Sequence, residues 1–147
     1  MTPFNFEAVQ VGDELPPLQL PPIDRTRLAL FAGASGDHNP VHIDIDFARK
    51  AGMPDVFAQG MLGMAWLGRL LTQWAPQSSL RRFNVRFQGI THLGHAVRCI
   101  GRVTERLEHE GESCLRVEIF STNQYGQTRI AGEALVAISH SNERRGS

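Results

Sequence analysis

Residues Gln59–Trp74 read Gln-Gly-Met-Leu-Gly-Met-Ala-Trp-Leu-Gly-Arg-Leu-Leu-Thr-Gln-Trp, and this run decides the fold. Met61, Leu62, Met64, Ala65, Trp66, Leu67, Leu70 and Leu71 spread around most of the helical circumference, so the spacing predicts a helix buried on nearly all sides. The run is too short, and too interrupted by Gly60, Gly63, Gly68 and Arg69, to cross a membrane. Downstream the hydrophobic period changes to two. Phe83, Val85 and Phe87 alternate with Arg82, Asn84 and Arg86; Val97, Cys99, Gly101 and Val103 form a second alternating run; Leu115, Val117 and Ile119 form a third. Ile130 to Ile138 is a fourth, and Gly94, Gly111 and Gly126 are the turn signals between runs. One long apolar helix followed by four strands with short connections predicts an α+β fold, an antiparallel sheet wrapped over the helix.

Upstream, the Pro-interrupted stretch Leu15–Pro22 reads as extended edge structure at best. Asp24 is placed to cap a helix running to about Ala32, with Ile23 and Leu28 spaced as a hydrophobic staple. Asp44 is placed to cap a short helix through Phe47, Ala48 and Ala51, stopped by Gly52 and Pro54. The polar end Ser141–Ser147 reads as a frayed tail, leaving residues 1–140 as one domain.

Composition narrows the function. The 147 residues suit one domain, and 41% hydrophobic content is enough for a core. With 15 basic and 15 acidic residues the chain carries no field that favours nucleic acid or an anionic membrane, so an anionic ligand must be held locally. Cys99 and Cys114 are too few for a disulfide scaffold and match no zinc spacing, and the N-terminus lacks the features of a signal peptide. Free thiols and a cytoplasmic location are the expectation.

Between the first two helices lies Ser35-Gly36-Asp37-His38-Asn39-Pro40-Val41-His42, an acid and an imidazole on a segment expected to be a shaped loop. A carboxylate and a neutral imidazole can together hold and deprotonate a water. Phe31, Ser35, Gly36, Asp37, Asn39, Pro40, Val41, His42 and Ala48 fall in register with a family signature, and the chain resembles the MaoC-like, (R)-specific enoyl-CoA hydratases and dehydratases. Val11-Gly12-Asp13 and the Gly60-Met61 pair also look familial. Where such proteins tend to carry Pro-Val and then Gly-Asp after the first strand, this chain has Gly89-Ile90 and Gly94-His95, so its entrance loop is expected to be shaped differently.

The resemblance implies a single hot-dog fold, and a hydro-lyase that adds water to a trans-2-enoyl-CoA to give the (R)-3-hydroxyacyl-CoA, or runs the reverse dehydration. It implies Asp37 and His42 as the catalytic pair and a backbone N–H at Gly60 as the stabiliser of the thioester oxygen. Unpaired amides at a helix N-terminus suit that role. Asn39 is expected to brace the loop and to orient one member of the pair. No metal or redox cofactor is expected, since Asp37, His38, His42, Asp44 and Asp46 match no recognised ligand spacing. The expected partners are an acyl-CoA or acyl-carrier thioester and a second hot-dog subunit, in a homodimer or heterodimer, with no nucleic acid and no membrane. Two other classes stay open: a non-catalytic acyl-thioester-binding subunit and a hot-dog thioesterase. Arg81, Arg82 and Arg86 read either as a solvated strand face or as contacts for CoA phosphates, His92 and His95 as loop surface in preference to an entrance contact, and Met61, Leu62, Met64 and Trp66 as core or as the wall of an acyl tunnel.

Overall fold

The structure is a computed structural model that describes residues 5–138. The expected tail at 141–147 lies outside the described residues. A two-residue strand β1 (Leu18–Gln19) leads to α1 (Arg25–Ser35), a 3-10 turn at Pro40–His42, and α2 (Ile45–Lys50). The long helix α3 (Gly60–Trp74) follows, then β2 (Leu80–Phe87), β3 (Arg98–His109), β4 (Glu112–Thr122) and β5 (Thr128–Ala137). The strands form one antiparallel sheet in the order β1-β3-β4-β5-β2. Leu15–Pro22 thus supplies an edge strand, as its prolines required, and the four alternating runs supply the rest.

The sheet curls over α3 because both present apolar stripes. Leu62, Trp66, Leu67, Leu70 and Leu71 are buried from the helix, and Val103, Leu115, Val117, Ile119 and Val136 from the sheet. Each such side chain removed from water contributes about 1.5–3 kcal/mol before entropy is subtracted. The helix is not buried on all sides, however. Met61 is 57% exposed and Ala65, Arg69 and Thr72 share its outer stripe, because the sheet covers one face of the helix only. Phe87 also departs from the alternation. Phe83 and Val85 are half-buried against the core, whereas Phe87, at the end of the edge strand, is 53% exposed.

The two capped helices bring the loop to the sheet. The Asp24 carboxylate accepts from the Arg27 N–H at 2.8 Å, and Ile23 and Leu28 are both buried beneath that cap. Helix α1 runs three residues past Ala32, because Gly36 adopts the left-handed conformation at φ 77° and closes the helix by donating its N–H to the Ala32 carbonyl. Asp44 accepts from the N–H groups of Asp46 and Phe47 and so caps α2, which ends at Lys50. No helix among the described residues is long and apolar enough to cross a membrane.

Candidate active site

The stretch from Ser35 to His42 is more ordered than a loop. Ser35 is the last residue of α1, and Pro40–His42 is a 3-10 turn. Side chains stitch the four residues between. The Asp37 N–H donates to Ser35 Oγ at 3.1 Å, the Asn39 N–H to Asp37 Oδ1 at 3.3 Å, and the Val41 N–H to Asn39 Oδ1 at 3.2 Å. Asn39 therefore braces the turn that carries His42, and its side chain caps that turn rather than meeting either member of the pair. His38 is exposed to solvent.

Asp37 and His42 come together. Asp37 Oδ2 lies 3.7 Å from His42 Nε2, and the imidazole is 10% exposed against 43% for the carboxylate. The other ring nitrogen, Nδ1, is 2.8 Å from the Phe57 carbonyl oxygen. A carbonyl only accepts, so Nδ1 carries a proton and, in the neutral ring, Nε2 presents a lone pair toward Asp37. The Phe57 ring stands edge-on to the imidazole, with centroids 5.0 Å apart, and completes its holder. Two acceptors facing each other at 3.7 Å are too far apart for a direct hydrogen bond and have no proton to share.

His42 also lines a cavity of about 380 Å³, whose wall includes Phe57, Gln59, Gly60, Gly63 and Trp66. Gly60 opens α3, so its N–H has no carbonyl within the helix to bond. A Cβ there would stand 3.1 Å from Phe87 Cε1, because the Phe87 ring lies over the glycine. Asp37 and Asn39 are not part of the wall; Asp37 reaches the cavity through its contact with His42. Val97, Ser121 and Ile130, all buried, also line the chamber. Trp66 lines it and packs in the core as well, whereas Met61 does neither.

The mouth is formed by Gln88, Gly89, Ile90 and Thr91, the region where the sequence departs from the family pattern. Arg129 anchors it: Nη1 donates to the Ile90 carbonyl at 3.1 Å, and a Cβ at Gly89 would collide with the guanidinium. His92 and His95 are half-buried rather than loop surface. The His92 N–H donates to His95 Nδ1 at 3.1 Å, and burial, then His92 and Arg129, push the His95 pKa down. Arg81 is engaged by Glu112 at 2.7 Å, leaving Arg82 and Arg86 as the exposed cations of β2. Cys99 and Cys114 are buried free thiols, the former pushed up to about 12 by burial.

Sequence reasoning had no means of finding the part played by Phe57, since a carbonyl carries no residue signature. Gln59 was legible only as the residue before a helix.

Residues 8–124 match the family model for the MaoC-like domain. The chain belongs to that family. Among solved structures, the (R)-hydratase from A. caviae involved in PHA biosynthesis superposes with a TM-score of 0.78 at 24% identity, over 90% of this chain and 99% of that one. The R-hydratase PhaJ1 from Pseudomonas aeruginosa gives 0.76 at 25% identity, over 96% and 94%. This MaoC-like domain therefore has the hot-dog fold. A curated relative, the fatty acid synthase beta subunit hexB of Dothistroma septosporum, is 32% identical over 114 residues, 72% of this chain. The MaoC-like chain spans 6% of that relative's length.

Proposed function

We propose that this MaoC-like protein is a hydratase that adds water to a trans-2-enoyl-CoA to give the (R)-3-hydroxyacyl-CoA, or catalyses the reverse dehydration. Family membership and the (R)-hydratase neighbours support a hydratase or dehydratase role. The observation that carries the finer reading is the paired acceptors, Asp37 Oδ2 and His42 Nε2, 3.7 Å apart beside a cavity that Gly60 also lines.

In this reading the water donates one hydrogen bond to each acceptor and turns its free lone pairs toward the β-carbon of the enoyl group. As the carbon–oxygen bond forms, one water proton passes to the pair and the thioester oxygen gains the charge of an enolate. The Gly60 N–H at the start of α3 stabilises that charge. The proton then returns to the α-carbon from the same face. No other group is required, because the substrate is its own electron sink. Asn39 acts by holding the turn on which His42 sits.

The functional unit in this proposal is a dimer, with a second copy or a related hot-dog chain. Among the described residues β2 is hydrogen-bonded to β5 on one side only, and its end carries the exposed Phe87, whose ring lies over Gly60, the residue before the exposed Met61. An open edge with apolar side chains next to it is covered most simply by another strand.

The test is incubation with crotonyl-CoA and longer trans-2-enoyl-CoAs. Loss of enoyl absorbance without release of CoA thiol is the expected result. Thiol release identifies a thioesterase, and no change with any chain length, in both directions, identifies a binding subunit.

A further inference from the structure

The segment from Phe57 to Gly60 joins the two halves of the site through successive residues. The Phe57 carbonyl accepts from His42 Nδ1 at 2.8 Å. The Ala58 N–H donates to the Thr91 carbonyl at 2.9 Å, fixing the segment to the cavity mouth. Gln59 Nε2 donates to the Leu28 carbonyl at 3.0 Å, and Gly60 begins α3. Leu28 is a fully buried residue of α1, the helix whose C-terminal end delivers Asp37.

Gln59 is 1% exposed, and its Oε1 is buried with no partner among the described residues. Burying a primary amide that makes a single hydrogen bond is costly, and an apolar side chain of equal length would fill the space with no orphaned oxygen. Packing alone therefore gives no reason for an amide here. The amide does one thing an apolar group cannot, which is to tie the start of α3 to α1.

We propose that Gln59 is a positioning residue that sets the separation between the Gly60 N–H and the Asp37–His42 pair. The substrate makes that separation matter. In a conjugated enoyl thioester the carbonyl oxygen and the β-carbon are held in one rigid plane, so the charge-stabilising amide and the water must match a fixed spacing. Gln59 fixes it directly, helix to helix, while the Phe57 carbonyl on the same segment fixes the imidazole. A shift of this segment moves the Phe57 carbonyl and the Gly60 N–H together, so it alters both the hydrogen bond to His42 and the spacing from Gly60 to the pair.

The kinetic arm of the test rests on the hydratase reading, and the spectroscopic arm does not. Gln59→Met keeps length and removes the donor. It is expected to lower kcat on crotonyl-CoA by about 10- to 100-fold with KM within about two-fold, while unfolding stays cooperative. Gln59→Glu supplies a second variant. Its carboxylate cannot donate to the Leu28 carbonyl when ionised but can when protonated, so its rate relative to unmodified protein should rise as pH falls, whereas that of Gln59→Met stays flat. Nitrogen-15 NMR of the His42 ring should show the Nδ1 and Hδ1 signals displaced in both variants at pH 7. A kcat within two-fold of normal in Gln59→Met, or His42 signals unmoved in both variants, overturns the proposal. Absence of hydration by the unmodified protein removes the hydratase reading alone and leaves the His42 signals to decide.

Discussion

Replacing Gly60 with alanine separates the chemistry of this site from its stability. The added Cβ would lie 3.1 Å from Phe87 Cε1, a few tenths of an ångström inside comfortable contact. Phe87 is 53% exposed, so its ring can swing away for about 1 kcal/mol or less. Against that stands the conformational advantage of alanine over glycine in a helix, at most about 1 kcal/mol and smaller at a first residue. The two nearly cancel, and the folding free energy should stay within about 1 kcal/mol of the unmodified protein, a Tm change of about 4 °C or less at this size. Activity should not survive the change. Alanine keeps the N–H, but its methyl group stands beside it in the cavity wall and holds the thioester oxygen off it, forfeiting a contact of a kind whose loss typically costs about 100- to 1000-fold in kcat. Urea unfolding followed in parallel with crotonyl-CoA hydration makes both measurements on one sample. A variant of unchanged stability that still turns over within about ten-fold of normal would refute Gly60 as the charge-stabilising position.

Other expectations follow from the same contacts. Gly63→Ala should behave in the opposite sense, because its Cβ would lie 2.6 Å from Cδ1 of Ile130, itself 3% exposed; overpacking of about 1–3 kcal/mol exceeds the helical gain and shows as a lower urea midpoint. Asp37→Asn and His42→Ala should each reduce hydration by about 100-fold or more while circular dichroism stays that of a folded protein. His95 has a lowered folded pKa, so the unfolded chain binds more protons. The stability it contributes is present above the unfolded value near 6.5 and is lost as pH falls through the lower folded value, and His95→Asn should flatten that part of the pH dependence in urea titrations. Cys99 should react slowly with a thiol reagent until the protein unfolds, since both burial and a pKa near 12 keep it a thiol.

Much of this arrangement was legible because local chemistry and tertiary structure agree. The strands announced themselves by alternation, and Asp24 and Asp44 cap the helices they were expected to cap. Two failures share one cause. Periodicity records how apolar each position is, not whether the fold has anything to put against it, so Phe87 and Met61 read as buried although one ends the edge strand and the other lies on the uncovered face of α3. The end of α1 was misplaced for a different reason. Gly36 marks a turn, but only the hydrogen bond it makes to Ala32 shows that the helix continues up to it. The acid and the imidazole could be named from the sequence, and so could the glycine. Their relation through Phe57 and Gln59 could not, because it runs through a main-chain carbonyl and through two segments 31 positions apart.

That the imidazole is held by the Phe57 carbonyl, and not by a carboxylate, has a consequence for how this protein can change over time. A histidine oriented by an aspartate can be disarmed by a single substitution at the aspartate. Here every residue that could stand at position 57 brings the same oxygen, so the protonation pattern of His42 is a property of the chain path. Drift in side chains around the site can retune what the cavity accepts without touching the proton that keeps Nε2 free.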